Sequence, residues 1–201
     1  MAQIDNAKSF RGSYIRVTRL DAAGKLVNAA DACFVSKSFI KVSFTPEYEE
    51  GEEHKQQNAD GSYCLQLKLP DTLKRVNIEL SVCDPAPELS EMLSGGKVLK
   101  KNLDLGGAGA KDYAIGWAFP DVGEIHDSGV AIEVWSQAVL TDTVAGTYPY
   151  WHWVFPKVNL RPSGSREFST NVMANTFEGF GTGNVQFKTG PDTKWPFPEN
   201  T

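Results

Sequence analysis

The densest collection of groups able to do chemistry lies between Phe44 and Cys64, in FTPEYEEGEEHKQQNADGSYC. Glu47, Glu49, Glu50, Glu52, Glu53 and His54 place carboxylates and an imidazole within eight residues. A metal would need such donors at a defined spacing. This run matches neither the calcium loop, with acids at alternate positions, a central Gly and a closing Glu, nor a zinc-binding histidine pair. A glycosidase pair needs one acid in an apolar pocket that raises its pKa, whereas adjacent glutamates favour solvent. Two uses remain: a solvated acidic face, or an ordered contact with another subunit.

The other reactive residues form no constellation. His54, His126 and His152 are far apart in sequence, and no GxSxG elbow supports a nucleophile. Cys33, Cys64 and Cys83 are an odd set without CxxC spacing, which reads as buried or half-buried free thiols in a reducing compartment. The glycine-rich KNLDLGGAGAKDY lacks the P-loop lysine and a strand-to-helix context, so it reads as a surface loop. Neither enzymatic activity nor a metal or cofactor is expected. The aromatic run YPYWHWVF sets Tyr148, Tyr150 and His152 against Trp151, Trp153 and Phe155. Burial of both faces in a core is expected, with a protein contact or a sugar platform as the alternatives.

A net charge of −5 and a pI near 5.3 argue against wrapping DNA, which requires a basic face. The first residues, MAQIDNAKSFRGSYIRV, contain no apolar h-region, so a secretory signal is not expected. No run approaches the roughly 18 apolar residues of a membrane span, and no membrane partner is expected.

The elements that must position these groups have a period of two. In FIKVSFT, SYCLQLKLP, KRVNIELSVC and GVAIEVWS, apolar and polar residues alternate, as on strands with one buried face. SYIRVTRL runs into DAAGKL, a strand entering a short turn. Only DPAPELSEMLSGG has helical spacing, with Leu89, Met92 and Leu93 on one face, prolines at its start and Gly95–Gly96 at its end. The expected fold is mainly β, a β-sandwich or partly closed barrel with one short flanking α-helix. A single domain spans 1–201. FIKVSFT and SYCLQLKL are expected to pair across a long hairpin loop at 46–61, unusual enough in length to suggest a function. The proline-containing residues 190–201 read as an extended C-terminal arm.

RVTRLDAAGKLV, followed by FIKVSFTPEYEEGEE and NADGSYC, resembles the N-terminal half of the major tail proteins of long-tailed actinobacterial phages. DPAPELSEMLSG, GVAIEVWS and the closing FEGFGTGNVQFKTGPDTKWPF are similar to that family too, so the resemblance runs from about Arg16 to Pro196. It implies a virion protein assembled in the host cytoplasm. Family members are tail tube subunits, β-sandwich domains with one flanking helix. Their hexameric rings stack around a tape-measure protein, between tail terminator and tip proteins, and DNA later passes through the lumen.

Under that resemblance the acidic loop becomes an assembly element. Glu47, Tyr48, Glu49, Glu50, Glu52, Glu53 and His54 are the candidate subunit interface, with Lys37, Lys41, Arg75 and Arg161 as candidate cations on a neighbour. If the FIKVSFT–SYCLQLKL hairpin joins a ring-wide barrel, Lys41, Ser43, Gln66 and Lys68 face the lumen, while Ile40, Val42, Phe44, Leu65 and Leu67 pack inward. The rival readings are a tail-completion or baseplate ring protein of the same fold, a carbohydrate-binding β-sandwich using Trp135, Trp151 and Trp153, and an enzyme.

Overall fold

The computed structural model describes residues 7–27, 29, 32–37, 39–83, 86–103, 111–122, 129–140, 150–164, 175–184 and 186. The mainly β expectation holds. Eleven strands and one helix follow in the order β1 (Lys8–Arg19), β2 (Cys33–Ser36), β3 (Phe39–Glu49), β4 (Glu53–Gln57), β5 (Tyr63–Lys68), β6 (Thr72–Val82), α1 (Pro87–Ser94), β7 (Lys97–Leu103), β8 (Lys111–Ala118), β9 (Val130–Val139), β10 (Tyr150–Pro162) and β11 (Asn175–Thr182) among the described residues. Seven of the strands form one antiparallel sheet in the order β2-β1-β9-β10-β11-β6-β3, and β4-β5 and β7-β8 are separate two-stranded ribbons. The sheet is open, with β2 and β3 at its ends.

The sheet curls so that its inner face meets itself. Alternation puts Ile15 and Val17, Ile132 and Val134, Val158 and Leu160, Phe177, and Ile78 and Leu80 on that face, where they form one buried cluster. At the far end of the order, the Phe44 ring of β3 lies 6.0 Å from Trp153 and 5.4 Å from Phe155 of β10. The Phe39 ring packs against Gly12 of β1, leaving no room there for a Cβ. In β10, Pro156 and Lys157 sit between the paired residues Phe155 and Val158 and together oppose Ala131 of β9. This bulge keeps Val158 and Leu160 facing inward and gives Pro156, which lacks an N–H, a place in an interior strand.

The helix closes the cluster. Leu89, Met92 and Leu93, the stripe expected from sequence, are buried in it. Proline occupies the first helical turn, and the Gly95 N–H donates to the Glu91 carbonyl to end the helix. Gly96 follows at φ +82°, where a Cβ would overlap the Ala118 carbonyl, so glycine is required where the chain turns into β7. The Trp117 indole N–H of β8 donates to the Gly95 carbonyl at 3.0 Å, holding the β7–β8 ribbon to the helix end. Arg19 reaches Glu91 at 3.4 Å from the sheet side. The KNLDLGGAGAKDY segment is loop only in its middle at most. Its ends, Lys101–Leu103 and Lys111–Tyr113, are strand, and 104–110 lie outside the described residues.

The expected pairing of FIKVSFT with SYCLQLKL is corrected. β3 pairs with β6, from Phe39 opposite Val82 to Glu49 opposite Thr72, and β5 pairs with β4 instead. Residues 46–61 are therefore not a long loop. Pro46–Glu49 continue β3, Glu53–Gln57 are β4, and the turn is confined to Asn58–Ser62. Glutamate, lysine and glutamine are poor strand formers, but here the paired backbone sets the conformation. The expected arm at 190–201 lies outside the described residues.

Candidate assembly surface

β3 and β6, carried on by β4 and β5, form one hairpin in two segments. The outer segment projects as an arm. At the joint, the Leu69 N–H donates to the Glu52 carbonyl at 3.0 Å, and the Gly51 N–H donates to the Asp71 carboxylate at 3.1 Å. A Cβ on Gly51 would overlap the Leu69 carbonyl, so the bend depends on glycine's missing side chain. The tip is closed by the Asn58 N–H on the Ser62 carbonyl and by the Ser62 hydroxyl and N–H on the Asp60 carboxylate. Those two donors hold the Asp60 carboxyl below its ordinary range. Gly61 sits at φ +84°, the left-handed conformation that tight hairpin turns demand.

Every residue of β4 and β5 is exposed. Leu65 and Leu67 share one face of the arm with their partners Gln56 and His54, and a bulge at Cys64 turns Tyr63, opposite Gln57, to the other face. No described layer covers them, although Leu65 and Leu67 were expected to pack inward. Nearer the root, Tyr48 and Leu73 face each other across the hairpin and are 60 % and 56 % exposed. The acidic residues are solvated. Glu53 meets Lys55 at 2.6 Å and Glu52 meets His54 at 3.5 Å, pairs local to the arm. The candidate interface residues thus fall into two groups. Glu47, Tyr48 and Glu49 end β3, while Glu50, Glu52, Glu53 and His54 lie at the joint and in β4.

Glu47 finds its partner within the chain. Arg75 donates to it at 2.6 Å and Lys74 lies at 3.3 Å. The Arg75 hydrogen bond, aided by Asn77, holds the Glu47 carboxyl below the ordinary carboxylate range. Arg75, considered above as a cation for a neighbour's acidic loop, faces its own. Lys41 likewise reaches Glu79 at 2.7 Å, and with Ser43 it lowers the Glu79 pKa. Lys37 lies over the Tyr14 ring at 4.8 Å.

The four residues expected to share one polar wall are split between two elements. Lys41 and Ser43 belong to the outer face of the large sheet, whereas Gln66 and Lys68 are on the arm, opposite Lys55 and Glu53. The outer face of β10-β11-β6-β3 is a broad trough of about 700 Å³. One row across it reads Ser43, Glu79, Glu178, Arg161, and the next reads Thr45, Asn77, Phe180, Asn159. The inward set is divided as well. Val42 and Phe44 turn to the inner face, but Ile40 is the extra residue in a bulge between Phe39 and Lys41 and stays 58 % exposed.

A buried ionic cluster was not legible in the sequence. Strand β9 is buried on both faces, so Glu133 is fully buried although alternation places it outward. Arg16 donates to it twice, from Nε at 2.6 Å and from Nη2 at 2.8 Å, and His152 Nε2 lies 2.8 Å from Oε2. The imidazole stacks on Trp135 at 4.5 Å, and the Arg16 guanidinium lies 5.3 Å from the same ring. The bidentate Arg16 and the His152 imidazole satisfy the carboxylate, and Trp135 packs on both of those partners, so the cluster reads as structural. The YWHWVF run is not sealed on both faces, since Tyr150 and Trp153 are each 43 % exposed. His126 lies outside the described residues. The three cysteines are free but exposed, not buried as expected, because each sits on a short or peripheral segment away from the core cluster. No group of three or more His, Cys, Asp or Glu side chains is placed to hold a metal, and no helix is long and apolar enough to cross a membrane, among the described residues.

No family model matches the chain, and no curated protein sequence matches it.

Proposed function

We propose that this chain is a subunit of a phage tail tube, building stacked rings, hexameric by the family resemblance, around a lumen through which DNA is delivered. The observation that carries the reading is the β4–β5 arm. An isolated two-stranded hairpin is marginal in water, and this one leaves Tyr63, Leu65 and Leu67 exposed, covered by nothing among the described residues. Such an arm gains stability when another subunit covers it. The open ends of the large sheet support the same reading, because unpaired strand edges recruit further strands and a closed ring satisfies them. The polar trough bearing Lys41, Ser43, Glu79, Glu178 and Arg161 suits a wall facing water. Its mixed charges offer no continuous basic track to hold phosphates. Its partners are then copies of itself, the tape-measure protein and the terminator and tip proteins.

The test is negative-stain microscopy of the purified chain, alone and seeded with purified tail tips. Hollow tubes of uniform width are the expected product. A second chain, with Glu53–Lys68 replaced by a short turn, should keep its circular dichroism and its cooperative melt but form no tubes. A full-length chain that stays monomeric in every seeded mixture overturns the reading.

A further inference from the structure

Among the described residues, the large sheet leaves two unpaired edges facing one cleft. β2 covers β1 only from Ile15 to Thr18, so the outer edge of Lys8–Tyr14 carries no described partner strand. β3 pairs, among the described strands, with β6 alone. Between them lies a cleft of about 400 Å³ whose lining includes Ser9, Gly12, Ile40, Phe44 and Trp153. The floor is aromatic and reached by solvent, since Phe44 is 48 % exposed against Trp153. The rim is basic. Lys8 and Arg11 are the charged residues of the free half of β1, and Lys37 stands beside it over Tyr14. Two register shifts, around Gly12, and a left-handed Arg11 at φ 53° re-aim this half of the strand.

We infer that this cleft receives the β4–β5 arm of a second copy of the chain, laying Leu65 and Leu67 over Phe44 and Trp153. The inference rests on the assembly role proposed for the arm and names the surface that arm meets. Chemistry and size agree. The arm presents Leu65 and Leu67 on one face and its root carries four carboxylates, Glu49, Glu50, Glu52 and Glu53, against an apolar floor with cations on the adjoining strand. An arm strand of five or six residues spans roughly 17–20 Å, and the seven free residues of β1 span roughly 23 Å. The arm cannot fill its own chain's cleft. It leaves from the Glu49 end of β3, whereas the cleft lies at the Phe39–Phe44 end, and the Leu69–Glu52 bond keeps the arm running onward. One arm and one cleft per chain make a head-to-tail contact that repeats from copy to copy.

The experiment uses full-length chains with Cys33, Cys64 and Cys83 changed to Ser. One chain carries Leu67→Cys on the arm, and a differently tagged chain carries Ile40→Cys on the cleft rim. The two are mixed, assembled and mildly oxidised. The expected result is a mixed-tag covalent dimer, with the two peptides joined in the mass spectrum, and no such dimer when Asn77→Cys on the trough replaces Ile40→Cys. Tubes that form without the Leu67–Ile40 link overturn the docking and leave the tube reading standing. Absence of any assembly, by microscopy and solution mass, sinks both. In the otherwise natural chain, Arg11→Glu should lose most assembly and Glu50→Arg in the same chain should restore part of it. Assembly unchanged by Arg11→Glu also counts against the docking.

Discussion

Replacing Glu133 with Ala tests how the buried cluster is held together. Glu133 is fully buried and Arg16 is 6 % exposed, so the substitution leaves a guanidinium inside the protein without its bidentate acceptor. Removing one partner of a buried pair costs about 3–5 kcal/mol, mostly from the charge left behind. Against a total stability of about 5–15 kcal/mol, that is a large fraction. With a urea m-value of about 2 kcal/mol/M, the unfolding midpoint should fall by about 1.5–2.5 M at unchanged slope. The paired replacement Arg16→Met with Glu133→Leu removes both charges and fills the space. It should recover most of the loss, because half-exposed His152 can turn its imidazole to water. Urea unfolding followed by tryptophan fluorescence and circular dichroism measures the natural chain, Arg16→Met, Glu133→Leu and their combination as the four corners of a cycle, with Glu133→Ala beside them. A Glu133→Ala loss below about 1 kcal/mol, or a double variant as unstable as the sum of the single ones, would refute the reasoning.

Two further outcomes follow from the same geometry. Leu89→Ala empties a fully buried site between α1 and the sheet and should cost about 2–5 kcal/mol in urea unfolding, without changing the strand signal in circular dichroism. Glu47 and Glu79 have folded-state pKa values below the ordinary 4.5. The stability they contribute is therefore fully present above that value and is lost as pH falls through the lowered values. Thermal melts across that acid range should show the decline, and Glu47→Gln with Glu79→Gln should make it shallower.

How much of this was legible in the sequence depends on what period-two alternation reports. It gives the face each side chain occupies, and it located β3, β5, β6 and β9 and separated them from the single helix. It does not give partners. FIKVSFT alternates as well with SYCLQLKL as with KRVNIELSV, and the choice is made by the register that sets Phe39, Val42 and Phe44 opposite Val82, Leu80 and Ile78. The β4 half of the arm was read as loop because Glu53–Gln57 has neither an apolar face nor β-favouring residues, and its conformation comes from pairing with Tyr63–Lys68. Gln66 and Lys68 were placed beside Lys41 and Ser43 for the same reason. Glu133 was hidden differently. Its strand is covered on both faces, and its partner Arg16 lies 117 positions away. Nothing local in GVAIEVWS announces a buried carboxylate.

The distance between Arg16 and Glu133 has a consequence for synthesis. β1 leaves the ribosome long before β9, its longer partner, and at 5–20 residues per second the wait is roughly 6–23 s. During that interval its apolar residues and the edge that β9 will cover stay available to neighbouring nascent chains, although β2 can already pair at Ile15–Thr18. The hairpin from Phe39 to Val82 needs no such wait, because its halves close on each other as soon as Val82 emerges. The molecule thus completes its protruding limb first and its centre last, so the half-made chain is at greatest risk of sticking to its siblings before β9 arrives.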